Sequence, residues 1–216
     1  MAFKLTSEDY LNYLKLVAEK INENKDYITS LDSAIGDGDH WTNMNKGFQA
    51  ILGLEDKLKE LTISEMFNSI GMKLMGTVGG SAGLLYGTAY LAAAKLSKDI
   101  DYLDIDSIYL TLEGMANEIM ERGRAKVGEK TMVDSITPAV QAFRKALDEK
   151  VSIIELCDAV KDSAKNGAQS TIDMPATKGR AYYQENKGVG HLDPGAITMS
   201  YQIEILMDFI KALEDE

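Results

Sequence analysis

The sequence predicts an all-α fold, and three observations carry that reading. Apolar residues recur at three- and four-residue steps almost throughout, no segment alternates with period two over a useful length, and the chain holds only three prolines. Short glycine-rich turns separate about eight such segments, as in a bundle of helices.

The helical faces follow in order. Leu11, Leu14, Ala18 and Ile21 share one face, with Val17 beside them; Met44, Phe48 and Ile51 repeat the spacing, as do Met66, Ile70 and Leu74. Ile108, Leu112, Met115 and Ile119 define the next face, and Ile136, Val140, Phe143 and Leu147 the one after it. Val160 and Ala164 lie on a helix beginning near Val151, and Tyr201, Ile205 and Phe209 or Met207 mark the last. No Pro/Ser-rich linker or composition shift divides the chain, so residues 1–216 are expected to form a single domain.

Lys73 to Lys95 bracket an uncharged span long enough to cross a bilayer. Gly76, Gly79, Gly80, Gly83 and Gly87 interrupt it, so a buried helix entered through a glycine turn is expected, with no membrane partner. The single cysteine, Cys157, has no partner for an internal disulfide, and no signal peptide is visible; the expected compartment is the cytoplasm. The net charge of −11, without a basic stripe, disfavours nucleic acid as a partner. The same acidity would repel a polyphosphate, so if the ligand is one, divalent cations must bridge it to carboxylates.

Four glycine-marked segments hold the chemistry-bearing residues. In the first, Leu31 to Asn43, three carboxylates (Asp32, Asp37 and Asp39) fall close together with Gly36 and Gly38 interleaved, a hard-oxygen set suited to magnesium. A calcium EF-hand fails on spacing: counted from Asp37, the sixth position is Thr42 and the twelfth Phe48. Helix capping by Asp39 or Thr42 is the plainer alternative for one of these residues, but not for three aspartates with interleaved glycines. The second segment, Gly79-Gly80-Ser81-Ala82-Gly83, enters a helix over Leu84–Ala94 and offers backbone N–H groups to phosphate, or serves close packing. The third runs from Gly123 to Asp134; its Arg124, Lys126 and Lys130 read as a solvated loop, while Thr131 and Met132 could frame a base or sugar. The fourth joins Thr177-Lys178-Gly179-Arg180-Ala181 to Gly188–Ala196, with Arg180 a phosphate donor and Asp193-Pro194-Gly195 a turn that starts the final helix. Both histidines, His40 and His191, fall in these segments. No P-loop and no Gly-x-Gly-x-x-Gly after a strand occurs, so a nucleotide site here must be built from helix ends and loops.

Together, Ile35-Gly36-Asp37-Gly38-Asp39-His40, Gly79-Gly80-Ser81, Gly128-Glu129-Lys130-Thr131-Met132, Gly179-Arg180-Ala181 and Gly190-His191-Leu192-Asp193-Pro194-Gly195 resemble the L subunit of dihydroxyacetone kinases. The order and spacing are compatible along the whole chain. The resemblance implies a barrel of eight antiparallel helices with the nucleotide site at one end. It implies two Mg2+ held by Asp32, Asp37 and Asp39 against ADP or ATP. By the same resemblance His40, Thr42 and Asn43 line the pocket, Ser81 and Ala82 meet the phosphates, and Gly123, Thr131 and Met132 flank the rest. Arg180, Asp193 and Gly195 close it, and no protein nucleophile is expected.

An L portion on its own resembles the phosphoenolpyruvate-dependent systems. There ADP stays bound as a cofactor, a phosphohistidine carrier (M) subunit of the phosphotransferase system rephosphorylates it, and the phosphoryl group passes to dihydroxyacetone on a K subunit. A nucleotide-exchanging subunit of an ATP-dependent dihydroxyacetone kinase is the alternative. This chain departs from the family at Trp41, where glycine is usual, so the contacts of the first turn are expected to differ.

Overall fold

The computed structural model describes residues 3–214. Among them are ten α-helices: α1 (Ser7–Glu23), α2 (Lys25–Ile35), α3 (His40–Leu52), α4 (Glu55–Leu58), α5 (Ile63–Thr77), α6 (Gly80–Leu96), α7 (Ile105–Gly123), α8 (Val133–Glu149), α9 (Ile153–Ser170) and α10 (Pro194–Glu214). Short 3-10 turns cover Thr171–Asp173 and Arg180–Tyr183. No β-strand occurs among the described residues; the only extended pairing there is an isolated antiparallel bridge between Leu5 and Leu103. The all-α expectation holds.

The helices gather into two compact units, one of Met1–Glu19 with Asn43–Arg124, the other of Lys20–Thr42 with Ala125–Glu216. In the first, α5 packs on α6 and α6 on α7. The α5–α6 crossing is close because Gly71 and Gly87 face each other: a Cβ at Gly71 would stand 2.8 Å from the Gly87 carbonyl oxygen. The buried face of α1 there includes Leu11, Leu14 and Val17, and the Tyr10 hydroxyl donates to the Tyr90 hydroxyl at 3.2 Å. Capping boxes at Thr62–Glu65 and Asp104–Ser107 start α5 and α7 by satisfying first-turn N–H groups.

In the second unit α9 packs against both α8 and α10, and α10 also meets α8 and α2. Ala168, Ala196 and Ile197 form a tight cluster with Leu31, Leu192 and Tyr201 packed around it. Pro138, inside α8, cannot donate to the Asp134 carbonyl, and α9 approaches at that level through Gly167, where a Cβ would overlap that same carbonyl.

Three boundaries differ from the sequence reading. Lys25–Ile35 is helical, so Asp32 sits in the last turn of α2; its buried positions Ile28, Asp32 and Ile35 carry a carboxylate within the apolar stripe. α3 begins at His40 rather than near Asn43, and α6 at Gly80 rather than Leu84, leaving shorter turns than expected. On α10 the deeply buried residues are Ile203, Leu206, Met207 and Ile210, while Tyr201, Ile205 and Phe209 are half-buried. The first seven residues of α10 are all buried, so there the helix has no polar side to define a face.

Candidate nucleotide and metal site

The irregular segment between α2 and α3 is only Gly36 to Asp39. It reverses the chain tightly: Gly36 N–H donates to the Asp32 carbonyl at 2.5 Å, and Gly38 takes a left-handed φ of 74°. A Cβ at Gly36 would overlap Asp32 Oδ1, so the turn closes against the carboxylate itself. Asp32 Oδ2 accepts the His40 N–H at 2.9 Å, which aims the carboxylate across the loop toward the start of α3. As a result Asp32, Asp37 and Asp39 each present an oxygen, and these oxygens lie within 4.8 Å of one another. Asp32 is buried and the other two are exposed.

Three carboxylates this close repel unless positive charge lies among them. Arg180 supplies some: its Nη2 sits 2.5 Å from Asp37 Oδ2. The Arg180 turn is anchored by packing of Ala181 with Ile35 and Ala176, next to the loop in sequence and space. All three ligands are hard oxygens, and Asp32 Oδ1 is not engaged by the His40 N–H, so the set fits magnesium.

His40 Nε2 lies 2.8 Å from Thr198 Oγ1. The Thr198 hydroxyl donates to the carbonyls of Pro194 and Gly195 at 3.1 and 3.3 Å, so its oxygen accepts from His40 Nε2–H and Nδ1 is left as an acceptor. Burial lowers the His40 pKa, against the opposing pull of Asp32 and Asp39, which favours the neutral imidazole. This bond joins the first turn of α3 to the second turn of α10.

At α10, Asp193 acts as N-cap and Pro194 takes the first helical position: Asp193 Oδ2 accepts the Ala196 N–H at 2.7 Å. Burial pushes the Asp193 carboxyl up to about 7, although the Ala196 N–H and the Lys130 cation act in the other direction. Gly195 lies against Met132, whose N and Cβ would be 3.8 and 3.9 Å from a Cβ placed there. The second unit therefore brings Thr131 and Met132 up to the Asp193–Gly195 turn. It also gathers His40 and Arg180 to the aspartates, directly or through their immediate neighbours. Thr42 is exposed in the first turn of α3.

The remaining expected residues belong to the first unit. Asn43 Oδ1 lies 4.0 Å from where a Cβ of Gly79 would be, beside the start of α6. Gly79 is the N-cap there and, having no side chain, caps none of the first backbone N–H groups of Gly80, Ser81 and Ala82. Gly123 is the last residue of α7.

Two residues of the site region had no role assigned from sequence. Asp134, almost fully buried, accepts the Gly128 and Thr131 N–H groups at 2.5 and 2.8 Å and so shapes the loop before α8. Lys130, expected in a solvated loop, is buried; its ammonium donates to the carbonyls of Thr171 and His191. The signal for Asp134 was its place at the second position of a helix; for Lys130, whose partners are backbone carbonyls, the sequence carried none. Trp41 is turned along α2: the Lys25 ammonium lies 4.6 Å from its ring centroid, and Lys25 opens α2 while the aspartates lie at the other end. Its indole Nε1 is buried without a hydrogen-bond partner among the described residues.

Residues 34–208 match the DAK2 domain family. The ADP-binding subunit DhaL of the PEP-dependent dihydroxyacetone kinase of Escherichia coli (strain K12) is 33% identical over 202 residues, covering 94% of this chain and 96% of that protein. The ADP-binding subunit DhaL of the PTS-dependent enzyme of Lactococcus lactis is 37% identical over 207 residues, covering 95% and 99%. The fold is similar to the dihydroxyacetone kinase of C. freundii in its native form, with a TM-score of 0.70 at 22% identity over 92% of this chain. A second structure of that kinase, in complex with AMP-PNP and Mg2+, gives 0.68 at 23% identity. The chain spans about a third of the length of those kinase chains, 34% and 33%.

Proposed function

Since the chain belongs to the DAK2 domain family, alongside the ADP-binding subunits of dihydroxyacetone kinases, we propose that it is the nucleotide-binding subunit of a phosphoenolpyruvate-dependent dihydroxyacetone kinase. In this reading residues 1–216 work as one nucleotide-binding domain in the cytoplasm, with neither nucleic acid nor membrane as partner.

The observation that carries the proposal is the convergence of Asp32, Asp37 and Asp39, whose oxygens lie within 4.8 Å of one another in a chain of net charge −11. Such a cluster repels a diphosphate on its own; with cations it attracts one. Two Mg2+ held by these three carboxylates would neutralise phosphate charge as it develops during transfer.

The rest of the work is positioning. Arg180, permanently charged, donates to phosphate oxygens from beside Asp37. Neutral His40 keeps Asp32 and the α10 turn in register through its N–H and its ring. Thr131, Met132, Asp193 and Gly195 hold the remainder of the nucleotide, with Thr42 at the mouth. Asn43, Ser81, Ala82 and Gly123 are proposed as further nucleotide contacts. Phosphoryl transfer needs alignment and charge neutralisation, so no protein nucleophile is required.

ADP then serves as a resident cofactor. A phosphohistidine carrier of the phosphotransferase system gives its phosphoryl group to ADP, forming ATP and free histidine. ATP gives that group to dihydroxyacetone bound on a K subunit, and ADP is restored.

Native mass spectrometry of chain purified without added nucleotide tests this directly. A bound mass of one ADP with two magnesium ions is expected. Nucleotide that is absent after purification and exchanges freely when added would favour an ATP-dependent kinase subunit instead.

A further inference from the structure

Lys130 carries two energetic costs at one position, a strained backbone and a buried charge. Its backbone is left-handed, with φ of 61°, a conformation rarely adopted outside glycine, asparagine and aspartate. Its side chain is 2% exposed, so a cation has been taken out of water. Among the described residues no carboxylate pairs with it directly, and Asp193, Asp134 and Asp173 favour its charge only from beyond ion-pair distance. Such an arrangement persists only where the surroundings enforce it.

What the ammonium holds explains the enforcement. One bond goes to the carbonyl of Thr171, at 2.5 Å, in the 3-10 turn that ends α9. The other goes to the carbonyl of His191, two residues before the α10 cap. Thr171 in turn receives the Asp193 N–H on its hydroxyl at 3.0 Å. Lys130 therefore grips the approach to Asp193 twice, once directly and once through Thr171. On its other side the chain runs straight into Thr131 and Met132, whose backbone Asp134 fixes through the Thr131 N–H. Gly188 completes the enclosure, since a Cβ there would come 3.1 Å from Lys130 Cε.

We propose that Lys130 is a positioning residue that locks the Thr131–Met132 segment to the Asp193–Gly195 turn and thereby sets how long adenine nucleotide is retained. The inference rests on the nucleotide-binding function above. Lys130 itself touches no phosphate; it acts through the two segments it joins. A resident cofactor needs slow release, and slow release needs both walls of the site held in one register.

The test compares release of a fluorescent ADP analogue, in magnesium, from wild type, Lys130→Met, Lys130→Arg and Lys130→Gln, with Lys126→Met as the control for loss of one charge in the same loop. Binding of Mn2+ to the nucleotide-free chain and thermal melting are followed alongside. Lys130→Met is expected to release the analogue about 10- to 100-fold faster, the range for deleting a charged hydrogen-bond donor. Mn2+ binding should stay unchanged, Lys130→Arg should recover most of the retention, and Lys126→Met should behave as wild type. If the Met variant does not fold, Lys130→Gln, which keeps one donor, should show faster release in the same comparison. Wild-type release rates in the Met or Gln variant would overturn the proposal, and so would loss of Mn2+ binding in step with nucleotide, the mark of a general packing role. A wild-type chain that binds no Mg–ADP at all would instead remove the function on which the inference rests.

Discussion

His40 Nε2 and Thr198 Oγ1 meet at 2.8 Å across 158 residues of sequence, tying the first turn of α3 to the second turn of α10. The bond matters because Asp32 and the Asp193–Gly195 turn then share one support. Thr198→Val removes the acceptor and leaves a ring N–H unpaired. The expected cost is about 1–3 kcal/mol in urea unfolding, together with weaker Mg–ADP binding.

Gly36→Ala places a methyl group where Asp32 Oδ1 now lies. The loop must open or the carboxylate must move, at about 1–3 kcal/mol. Calorimetry should show weaker Mn2+ binding as well as a lower melting temperature.

Arg180→Ala separates two roles. Its guanidinium pairs with Asp37 at the surface, with side-chain exposures of 67% and 37%, so the pair contributes about 0–1 kcal/mol. Without nucleotide, divalent affinity should rise slightly, by at most about fivefold, because a competing cation is gone. ADP affinity in magnesium should fall. Opposite directions in the two titrations are the expected signature.

Asp193 gives a pH dependence with a definite sign. Its folded pKa of about 7 lies above the unfolded value of about 3.9, so the folded chain binds the proton more tightly. The resulting stabilisation is complete below the unfolded pKa and is lost as pH rises through about 7. Asp193→Asn keeps a good N-cap but cannot titrate. In metal-free, nucleotide-free protein, the stability of wild type relative to this variant should therefore fall between pH 5 and 7 and level off above about 8, as measured by denaturant titration.

Much of this was legible in sequence where one physical rule dominates. Leu11, Leu14, Val17 and Ile21 are buried as their spacing predicts, because a helix against a core on one side sorts residues by period. The rule weakened on α10, where Pro194 to Ser200 are all buried and no polar side marks a face. It also hid α2, since Asp32 occupies a buried position between Ile28 and Ile35. The aspartates and their glycines were readable as a set because close like charges need a reason. Lys130 was not: a lysine among Arg124, Lys126 and Glu129 reads as solvated, and the carbonyls that hold it have no signature in the residue types.

The proposed function depends on the three carboxylates around the α2–α3 turn, and calorimetric titration of ADP in magnesium into the Asp37→Asn/Asp39→Asn double variant tests them most directly. Both residues are exposed, so melting should stay close to that of wild type while ADP binding drops by about 100-fold or more, as expected when charged ligands to a bridging cation are removed. A folded double variant that binds Mg–ADP as tightly as wild type would contradict the account.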